Sequence, residues 1–557
     1  MSDPRGTLAA LQNGVVDRRR FLAFTGALAG TALYAQLKGD AVRAAPPLQS
    51  YPFRLGVASG DPTPTELSLW TRLVPEPLAE GGGMPARDVA VGWELARDEG
   101  FRHGVRRGKV AALPELAHSV HVDVRGLQPG REYFYRFTVD GQRSAVGRTK
   151  TAPAPGTRVE ELTFAFASCQ AWPDGFYSAY RRMNEQDLDL VIHLGDYIYE
   201  YGIPADGGAR DVAVPAALQE YCVTLERFRL QHSLYKTDPD LQECHRRFPW
   251  AVTWDDHEVE NDYAGIYPEY APTTPAFVAK RAAAYQAYYE HMPLRLSARP
   301  SGGELRLYRR LRYGDLAEFN VLDTRQYRAD QPCGDGEQPR CAAGFDPDAT
   351  MTGDAQEAWL LDGLAASRAK WNVIAQGVMM GELKHDAQGG RFWQDAWDGY
   401  PGQRARLLES IAGISKGRKH HLNPVVVTGD WHSTFVNDLK VDFEDASRDA
   451  TVATEFVGTS ITTNGDGLVY GPYYEPMVPF NPSIRFFDGD RRGYVLCKLD
   501  REQWRTELRM VEEVGDADAS EYTFASFVVE DGRPGAEIDC SPGPNPPKLG
   551  RVDCTPV

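Results

Sequence analysis

Potential metal ligands stand at the ends of four apolar stretches in this sequence. The four endings read SCQ at 168–170, GDYIYE at 195–200, DDHE at 255–258 and GDWHS at 429–433. An isolated carboxylate or thiolate is costly to bury, whereas a di- or trivalent cation offsets that cost for several of them at once. The residue types therefore predict a metal centre built from segments that are far apart in the chain.

Six side chains in these endings are the predicted metal ligands: Cys169, Asp196, Tyr199, Asp256, Asp430 and His432. A tyrosinate such as Tyr199 is a hard anionic ligand that favours a trivalent ion, and a thiolate from Cys169 adds negative charge. The remaining set is rich in oxygen, which suits calcium, magnesium or manganese better than zinc. Two metal ions about 3.5 to 4 Å apart can hold a phosphoryl oxygen, generate hydroxide from water and stabilise a leaving oxygen.

The DDHE segment at 255–258 places four ionisable residues directly after a hydrophobic stretch. A solvated loop would also explain these charges, but the position favours metal binding or proton transfer. We assign Asp256 to a metal and predict that Asp255 and His257 are catalytic. His257 would stabilise the leaving group or a bound oxyanion.

Each ligand taken alone also has an ordinary structural explanation. Cys169 could be a small buried hydrophobic residue or half of a disulfide, Asp196 could cap a helix, and Tyr199 could be a core residue. Their combination at strand ends favours ligands. Asp430 and His432 are two positions apart, so on an extended segment they face the same side, as joint ligands require.

The apolar stretches are also the elements that must position these residues. Strands are predicted at 162–167, 188–194, 248–254, 371–379 and 424–428, and helices at 276–292, 354–370 and 402–413. Apolar strands that alternate with helices are typical of an α/β fold with a buried sheet. Because ligands gather beyond the carboxyl ends of the strands in such sheets, we expect the metal ligands to meet at one edge.

The region from about 51 to 151 has a different pattern. Apolar and polar residues alternate in SVHVDV at 119–124 and EYFYRFTV at 132–139, which predicts half-buried antiparallel strands. The turn at 126–130 and the strand that follows it resemble those of fibronectin type III-like sandwiches. The segment TAPAPG at 151–156 reads as a linker.

The amino terminus resembles a twin-arginine export signal. Three arginines at 18–20 precede a mildly apolar stretch at 21–37, which is short for a membrane span, and small residues at 41–45 offer a cleavage zone. A retained anchor or a buried helix is the alternative. The signal implies the twin-arginine translocase as a partner and a periplasmic or secreted protein, whose net charge without residues 1–45 would be −17 − 3 = −20.

Composition excludes several classes of protein. Hydrophobic residues make up 42% and charged residues 25% of the chain, close to globular averages, so a disordered or multi-span membrane protein is disfavoured. The net charge of −17 and the lack of a long basic run argue against general nucleic-acid binding. If the chain handles phosphate anions, metal ions rather than basic residues must attract them.

The eight cysteines fit an oxidising destination. Cys333 with Cys341 and Cys540 with Cys554 have spacings that permit disulfide bonds, and Cys222 with Cys244 is a third, weaker pair. Of the two cysteines that remain, only Cys169 stands among the candidate metal ligands.

Taken together, these motifs resemble the PhoD-type alkaline phosphatases, which are relatives of purple acid phosphatases in the calcineurin-like superfamily. The matching segments are FASCQ at 166–170, HLGDYIYEYG at 193–202, VTWDDHE at 252–258, DAWDGYP at 395–401 and GDWHS at 429–433. The resemblance spans roughly residues 51–498. One departure is Ser483 after Asn481 and Pro482, where the family often has Asn-Pro-His.

The resemblance implies a four-layer αββα metallophosphoesterase sandwich preceded by a fibronectin III-like all-β domain. The expected boundaries are a signal at 1–45, the all-β domain at 46–152, the metallophosphoesterase domain at 158–515 and a carboxyl-terminal tail at 516–557. By analogy, Cys169, Asp196 and Tyr199 hold Fe(3+), and Asp256, Asp430 and His432 complete a site that also contains Ca(2+). Trp397, Asp398 and Tyr400 are expected at the cleft mouth, although a surface loop would also explain them.

The expected function is that of a secreted alkaline phosphatase that hydrolyses phosphate esters with a metal-activated hydroxide and without a covalent phosphoenzyme. Monoesters are the expected substrates, and diesters stay open. A phospholipase D-like phosphodiesterase is the alternative within enzymes. A non-catalytic secreted binding protein built on the all-β domain is a remote alternative, because such a protein does not need this ligand cluster.

Overall fold

The computed structural model describes residues 48, 50–417, 420–445, 450–543 and 546–557. The predicted export signal at 1–45 lies outside the described residues. In the described parts of the chain, no helix has the length and apolar character that a membrane crossing requires.

The region before the predicted linker is all-β, as the alternating pattern predicts. Its strands are β1 (Val57–Gly60), β2 (Glu66–Arg72), β3 (Val89–Ala96), β4 (Arg106–Ala112), β5 (Ser119–Arg125), β6 (Glu132–Val139), β7 (Gln142–Arg143) and β8 (Gly147–Lys150). Along β6, every second side chain from Tyr133 to Val139 is buried. Five of these strands form one sheet in the order β4-β3-β6-β7, with β8 also paired to β6.

The other three amino-terminal strands extend a sheet that belongs to the rest of the chain. That sheet also contains β9 (Leu162–Ala167), β10 (Leu190–His193) and β11 (Pro249–Val252). Five carboxyl-terminal strands complete this sheet, which has eleven strands among the described residues. Its other six strands run in the order β9-β10-β11-β1-β2-β5, and β1, β9, β10 and β11 are parallel. The amino-terminal strands are thus hydrogen-bonded to the strands that precede the candidate ligands.

A second large sheet faces the first. The strands that follow in the chain are β12 (Arg309–Tyr313), β13 (Ala317–Val321), β14 (Glu337–Gln338), β15 (Trp371–Gln376), β16 (Phe392–Trp393), β17 (Pro424–Thr428), β18 (Thr434–Lys440), β19 (Thr451–Val457) and β20 (Ile484–Asp488). Seven of them form a sheet in the order β12-β13-β15-β17-β19-β18-β20, in which β13, β15, β17 and β19 are parallel. The short strands β14 and β16 pair with each other.

The carboxyl-terminal residues return to the eleven-stranded sheet as β21 (Gly493–Leu499), β22 (Gln503–Val511), β23 (Glu521–Glu530), β24 (Arg533–Ser541) and β25 (Thr555–Pro556). The prediction of a tail from 516 onward is therefore wrong, since β23 and β24 are long strands with buried core residues such as Phe527 and Val529. The alternating pattern of these strands was missed.

The helices of the structure are α1 (Ser178–Met183), α2 (Leu225–Lys236), α3 (Pro239–Arg247), α4 (Pro275–His291), α5 (Asp354–Ala366), α6 (Pro401–Lys416) and α7 (Gly471–Tyr474). Local chemistry sets where several of them begin. Asp238 caps α3 by accepting hydrogen bonds from two backbone N–H groups, and Thr274 caps α4 by accepting one from Phe277. A proline follows each cap at the first helical position, where its missing N–H costs nothing.

The three largest hydrophobic cores of the described residues lie between the two large sheets and on their outer faces. Between the two large sheets, the ring of Phe164 lies 5.1 Å from that of Phe319, and Trp371 packs on Trp504. Helices α1 to α4 cover the outer face of the eleven-stranded sheet, and α5 and α6 cover the seven-stranded sheet. A mixed α/β, sheet-rich fold is therefore confirmed.

Two of the three cysteine pairs considered from the sequence are disulfide bonds. Cys333 is bonded to Cys341 and Cys540 to Cys554. The prediction of a third disulfide between Cys222 and Cys244 is wrong, because both residues are free thiols in separate buried environments. Cys222 lies near the backbone of Arg227, and Cys244 contacts Met183.

A cluster of basic side chains is enclosed between the helices and the eleven-stranded sheet. Lys236 of α2 is 2% exposed, and its Nζ lies 3.3 Å from His245 Nε2 and over the rings of Trp70 and Tyr197. The cluster also contains Arg72, His193, His232 and His291. Because burial disfavours the charged ammonium, the pKa of Lys236 falls from 10.5 to about 7.

We expect Lys236 to make the free energy of unfolding rise with pH. Its pKa is lower in the folded chain, so its contribution is fully present above pH 10.5 and is lost as the pH falls toward about 7. The lost contribution is on the order of 5 kcal/mol. The variant Lys236→Met has no ammonium group to bury. Its free energy of unfolding, measured with urea, should therefore rise relative to that of the wild type as the pH is lowered from about 10 to about 7.

The matched control for this experiment is Lys236→Arg. An arginine keeps its charge throughout this range, so this variant should be less stable than the wild type at pH about 10. A difference between Lys236→Met and the wild type that does not change with pH would contradict the prediction.

Candidate metal centre

The candidate ligands lie where parallel strands of both large sheets end. Cys169 follows β9, Asp196 follows β10 and the DDHE segment follows β11, all in the eleven-stranded sheet. Asp430 and His432 follow β17 of the seven-stranded sheet. The carboxyl ends of the two sheets meet at this edge, as the sequence predicts.

The backbone at these positions is strained. Cys169, Asp196, Asp430 and His432 have φ values of 58°, 54°, 63° and 51°, in the left-handed region that residues other than glycine rarely adopt. Such conformations cost about 1 to 3 kcal/mol each and persist where the surroundings enforce them, which is most often at functional sites. Four of the six predicted ligands share this property.

Glu258 and Gly195 hold the strand ends together. The buried carboxylate of Glu258 accepts hydrogen bonds from the backbone N–H groups of Asp196, Tyr197 and Asp255, at 3.2, 2.7 and 2.9 Å. Gly195 has a φ of 116°, and a Cβ there would lie 2.4 Å from that of Asp255. Only glycine allows the two segments to approach this closely.

The first group of potential ligands combines sulfur, oxygen and nitrogen. One ligand atom each from Cys169, Asp196 and His432 lies within 4.8 Å of the other two. Tyr199 Oη lies 3.2 Å from Asp196 Oδ2 and 3.0 Å from His432 Nε2. Thr463 donates a hydrogen bond of 2.8 Å to the same phenolic oxygen.

Two further groups are linked to the first through shared residues. Asp196, Asp256 and His257 form one, and Asp255, Asp256 and Asp430 form the other, each with its potential ligand atoms within 4.8 Å of one another. Asp196 thus lies between the first two groups, and Asp256 lies between the second and the third. All six predicted ligands are brought together.

The electrostatics of these groups show an excess of buried negative charge. Burial and the neighbouring carboxylates raise the pKa of Asp196 and that of Asp430 well above the usual range, and burial raises the pKa of the Cys169 thiol. Asp196 Oδ1 and Asp256 Oδ1 are buried and have no hydrogen-bond partner among the residues that the structure describes. Because such oxygens cost free energy unless a cation compensates them, the donor set fits metal ions.

Asp255 has a partner that the sequence did not suggest. Arg325, which follows β13, is fully buried and donates from Nε to Asp255 Oδ1 at 2.6 Å. Its Nη1 and Nη2 contact the two oxygens of Asp395 at 2.9 and 2.8 Å. Its burial between carboxylates keeps Arg325 out of contact with a substrate. Asp255 Oδ2 has no hydrogen-bond partner in the described parts of the chain.

His257 is held in place by Glu200. The His257 Nδ1 atom lies 2.8 Å from Glu200 Oε2, and Nε2 lies 4.0 Å from Asp256 Oδ2. Burial opposes a charge on the ring, but Asp256, Glu200 and Asp196 outweigh it and raise the pKa of His257 well above its usual value. His257 is therefore poised to carry a proton beside the candidate ligands.

A cleft of about 500 Å³ opens directly over these groups. Asp256, His257, Asp430 and His432 line its inner end. The predicted cleft residues Trp397, Asp398 and Tyr400 do not line it and are at most 1% exposed. That prediction is wrong, because Trp397 and Tyr400 belong to the core beneath α6, and the Asp398 carboxylate pairs with Arg340 and Arg404.

Several residues of the site were missed by the sequence analysis. Glu200 and Glu258 stand inside the metal-ligand motifs, so their positions were a usable signal. Thr463 and Tyr470 follow β19, another strand that ends at this edge, but they belong to no motif. Ser483, immediately before β20, is 5% exposed and does not line the cleft.

Comparisons with known proteins agree with the site. The profile of the PhoD-like phosphatases matches residues 164–508, and that of the PhoD-like phosphatase N-terminal domain matches residues 39–153. Alkaline phosphatase D of Bacillus subtilis (strain 168) is 47% identical over 526 residues, which cover 94% of this chain and 89% of that protein. A solved structure described as "Structure of PhoD" matches with a TM-score of 0.84 and 46% identity, and covers 91% of this chain and 96% of that one.

Proposed function

The chain belongs to the PhoD-like phosphatase family and is an alkaline phosphatase, and from that premise we propose that a buried metal centre hydrolyses phosphate monoesters and diesters. The observation that carries the proposal is the convergence of Cys169, Asp196, Tyr199 and His432 with Asp256 and Asp430. Among the described residues, one oxygen of Asp196 and one of Asp256 have no hydrogen-bond partner. A phosphatase with this donor set does not need basic residues in its cleft.

We assign the sulfur-containing group to ferric iron. Cys169, Asp196, Tyr199 and His432 supply a thiolate, a carboxylate, a phenolate and an imidazole, and two anionic ligands other than carboxylates favour a trivalent ion. Asp255, Asp256 and Asp430 offer only oxygen, which suits calcium. When bound, these ions would act as Lewis acids on the phosphoryl group and lower the pKa of the attacking water.

The protein's own residues orient and protonate the reacting groups. Asp196 belongs to two of the ligand groups and is placed to bridge them. Glu200 fixes the His257 ring through Nδ1, which leaves Nε2 as the atom that holds a proton for the leaving oxygen or a bound oxyanion. Asp255 positions Arg325, so we propose a supporting role for it instead of direct contact with the reacting atoms.

We also propose the arrangement of layers in the fold and the cellular location of the protein. The two facing sheets with helices on both outer faces support the four-layer αββα arrangement, and the five-stranded sheet supports a fibronectin III-like domain. The arginines at 18–20 and the apolar stretch after them support export by the twin-arginine translocase to the periplasm or the exterior.

The sequence alone leaves two other functions open. A non-catalytic binding protein is ruled out by membership of the phosphatase family. A phospholipase D-like preference for diesters stays an alternative. Rates for a phosphate monoester, a bis-ester and phosphatidylcholine, measured under one metal condition, would separate the two enzymes.

The metal assignment is tested by elemental analysis and an absorption spectrum of the exported protein. We expect stoichiometric iron and calcium and a visible charge-transfer band from the tyrosinate or thiolate bound to ferric iron. Tyr199→Phe removes only the phenolic oxygen, so the band should shift or weaken strongly while the protein stays folded.

The matched control is Tyr201→Phe, since Tyr201 is close in sequence but is 47% exposed and contacts none of the proposed iron ligands. It should leave the band unchanged. Protein without iron, or a spectrum identical in the wild type and Tyr199→Phe, would overturn the assignment to Tyr199.

A further inference from the structure

The outer part of the cleft has a composition that the chemistry at the metal centre does not require. Five aromatic side chains line it, and we refer to them together as the aromatic wall: Trp393, Trp431, Tyr470, Tyr473 and Tyr474. Four of its five rings pack together, because the ring of Tyr474 lies 4.8, 5.8 and 6.1 Å from those of Tyr473, Tyr470 and Trp431. Aromatic rings in such contact form a rigid apolar surface.

The aromatic wall begins at the metal centre itself. Tyr470 Oη lies 3.3 Å from His432 Nδ1, on the side of the imidazole opposite the contact with Tyr199. A phosphate ester whose phosphorus lies at the candidate ligands therefore extends its organic group along the wall. At the outer end, Tyr473 and Val469 are 45% and 39% exposed, so the apolar surface is open to a ligand.

The charges around the wall restrict what can bind there. Apart from the candidate ligands, the ionisable groups that line the cleft are Asp262, Glu269, His257 and His385, and none of the described lining residues is a lysine or an arginine. Glu269 accepts a hydrogen bond of 2.8 Å from the Asn261 amide. An organic group with further negative charge would lie against Asp262 and Glu269, with no lysine or arginine in the cleft lining to compensate that charge.

A polar group is also available beside the wall. The side chain of Asn261 lines the cleft, and its amide nitrogen donates a hydrogen bond to Glu269. Its amide oxygen can accept a hydrogen bond from a hydroxyl group on a ring that stacks against the wall. Stacking faces with a few polar groups are the usual features of a pocket for a small ring-shaped ligand.

We propose that the aromatic wall binds the organic group of the substrate and selects phosphate esters of uncharged, ring-bearing alcohols over esters that carry further anionic groups. The inference rests on the proposed function, because the wall can select only among esters whose phosphorus binds at the metal centre. The ring can be an aryl group or a sugar, since both present a flat apolar face to an aromatic side chain.

Competitive inhibition by phosphonates tests the proposal without the influence of leaving-group chemistry. The probes are methylphosphonate, phenylphosphonate, a glucosylmethylphosphonate and 4-carboxyphenylphosphonate. We expect one of the two neutral ring compounds to have an inhibition constant about tenfold lower than that of methylphosphonate, and the added carboxylate to remove most of that gain from the phenyl compound. The tighter neutral compound identifies the ring as aryl or sugar.

The variant Tyr473→Ala should weaken inhibition by the preferred ring compound about 3- to 10-fold and leave methylphosphonate unchanged, while Tyr473→Phe keeps the preference because it keeps the ring. Tyr51→Ala, at an exposed tyrosine of the amino-terminal region, should change neither constant. Equal constants for methylphosphonate and both neutral ring compounds, or equal weakening of all probes by Tyr473→Ala, would overturn the proposal.

These outcomes are distinguishable from a failure of the proposed function. If the metal centre were not the phosphate site, methylphosphonate would not compete with a phosphate monoester substrate at all. If only the inference about the aromatic wall were wrong, methylphosphonate would still compete, and the preference for rings alone would be lost.

Discussion

Replacing Asp196 with asparagine is expected to remove bound metal and phosphatase activity together. Asp196 lies between the group that contains Cys169 and His432 and the group that contains Asp256 and His257. An amide is neutral and a weaker ligand for a cation, so it cannot replace the carboxylate that these two groups share. Since metal ions contribute several kcal/mol to stabilising the transition state, and each 1.4 kcal/mol is a factor of ten in rate, we expect kcat/KM to fall roughly a thousandfold or more.

The measurement pairs steady-state kinetics with elemental analysis of Asp196→Asn. Its matched control is Asp189→Asn, because Asp189 immediately precedes the same strand, β10, and lies at the opposite edge of the sheet, where it pairs with Lys150. The control should keep its metal and its rate. Substantial hydrolysis by a metal-poor Asp196→Asn protein would refute the proposed role of the metal centre.

Of the substitutions proposed here, Arg325→Met is expected to lower the free energy of unfolding the most. The guanidinium is fully buried and contacts Asp255 and both oxygens of Asp395, and Asp256 lies 3.7 Å away. Removing one partner from a buried ionic network leaves uncompensated charges and costs about 3 to 5 kcal/mol. The same change should lower activity, because Asp255 and Asp256 lose the contact that helps to fix their positions.

Denaturant unfolding of Arg325→Met measures this cost, with Arg406→Met as the control. Arg406 of α6 also contacts both oxygens of one carboxylate, that of Glu357, but its side chain is 41% exposed. A partly exposed pair contributes about 0 to 1 kcal/mol. Similar losses of unfolding free energy in the two variants would show that the buried contacts of Arg325 contribute no more to stability than a partly exposed ion pair.

The positions of the ligands could be predicted because each motif follows an apolar strand. The predicted strand at 162–167 coincides with β9, and that at 424–428 with β17, so Cys169 and Asp430 were placed correctly at strand ends. The chemistry of the side chains then identified them as potential ligands. These inferences need only local patterns and the general rule for parallel sheets.

The features that could not be predicted from the sequence are contacts between segments that are distant in the chain. Nothing near Arg325 in the chain indicates that it is enclosed by Asp255 and Asp395. Trp397 and Tyr400 stand in a polar, glycine-containing segment that is typical of a surface loop, yet α6 packs over them. The aromatic wall likewise combines Trp393 with tyrosines about eighty positions later, and no local pattern predicts that pairing.

The hydrogen bonds between β1 and β11 make the amino-terminal region inseparable from the catalytic half. Ser59 and Gly60 pair with Pro249 and Trp250, five to six residues before the Asp255 motif. If the chain were cut at the apparent linker, β11 would become an unprotected edge open to pairing with other molecules. A shortened enzyme would therefore be prone to self-association. Relatives can exchange these domains in evolution only if both halves are exchanged together.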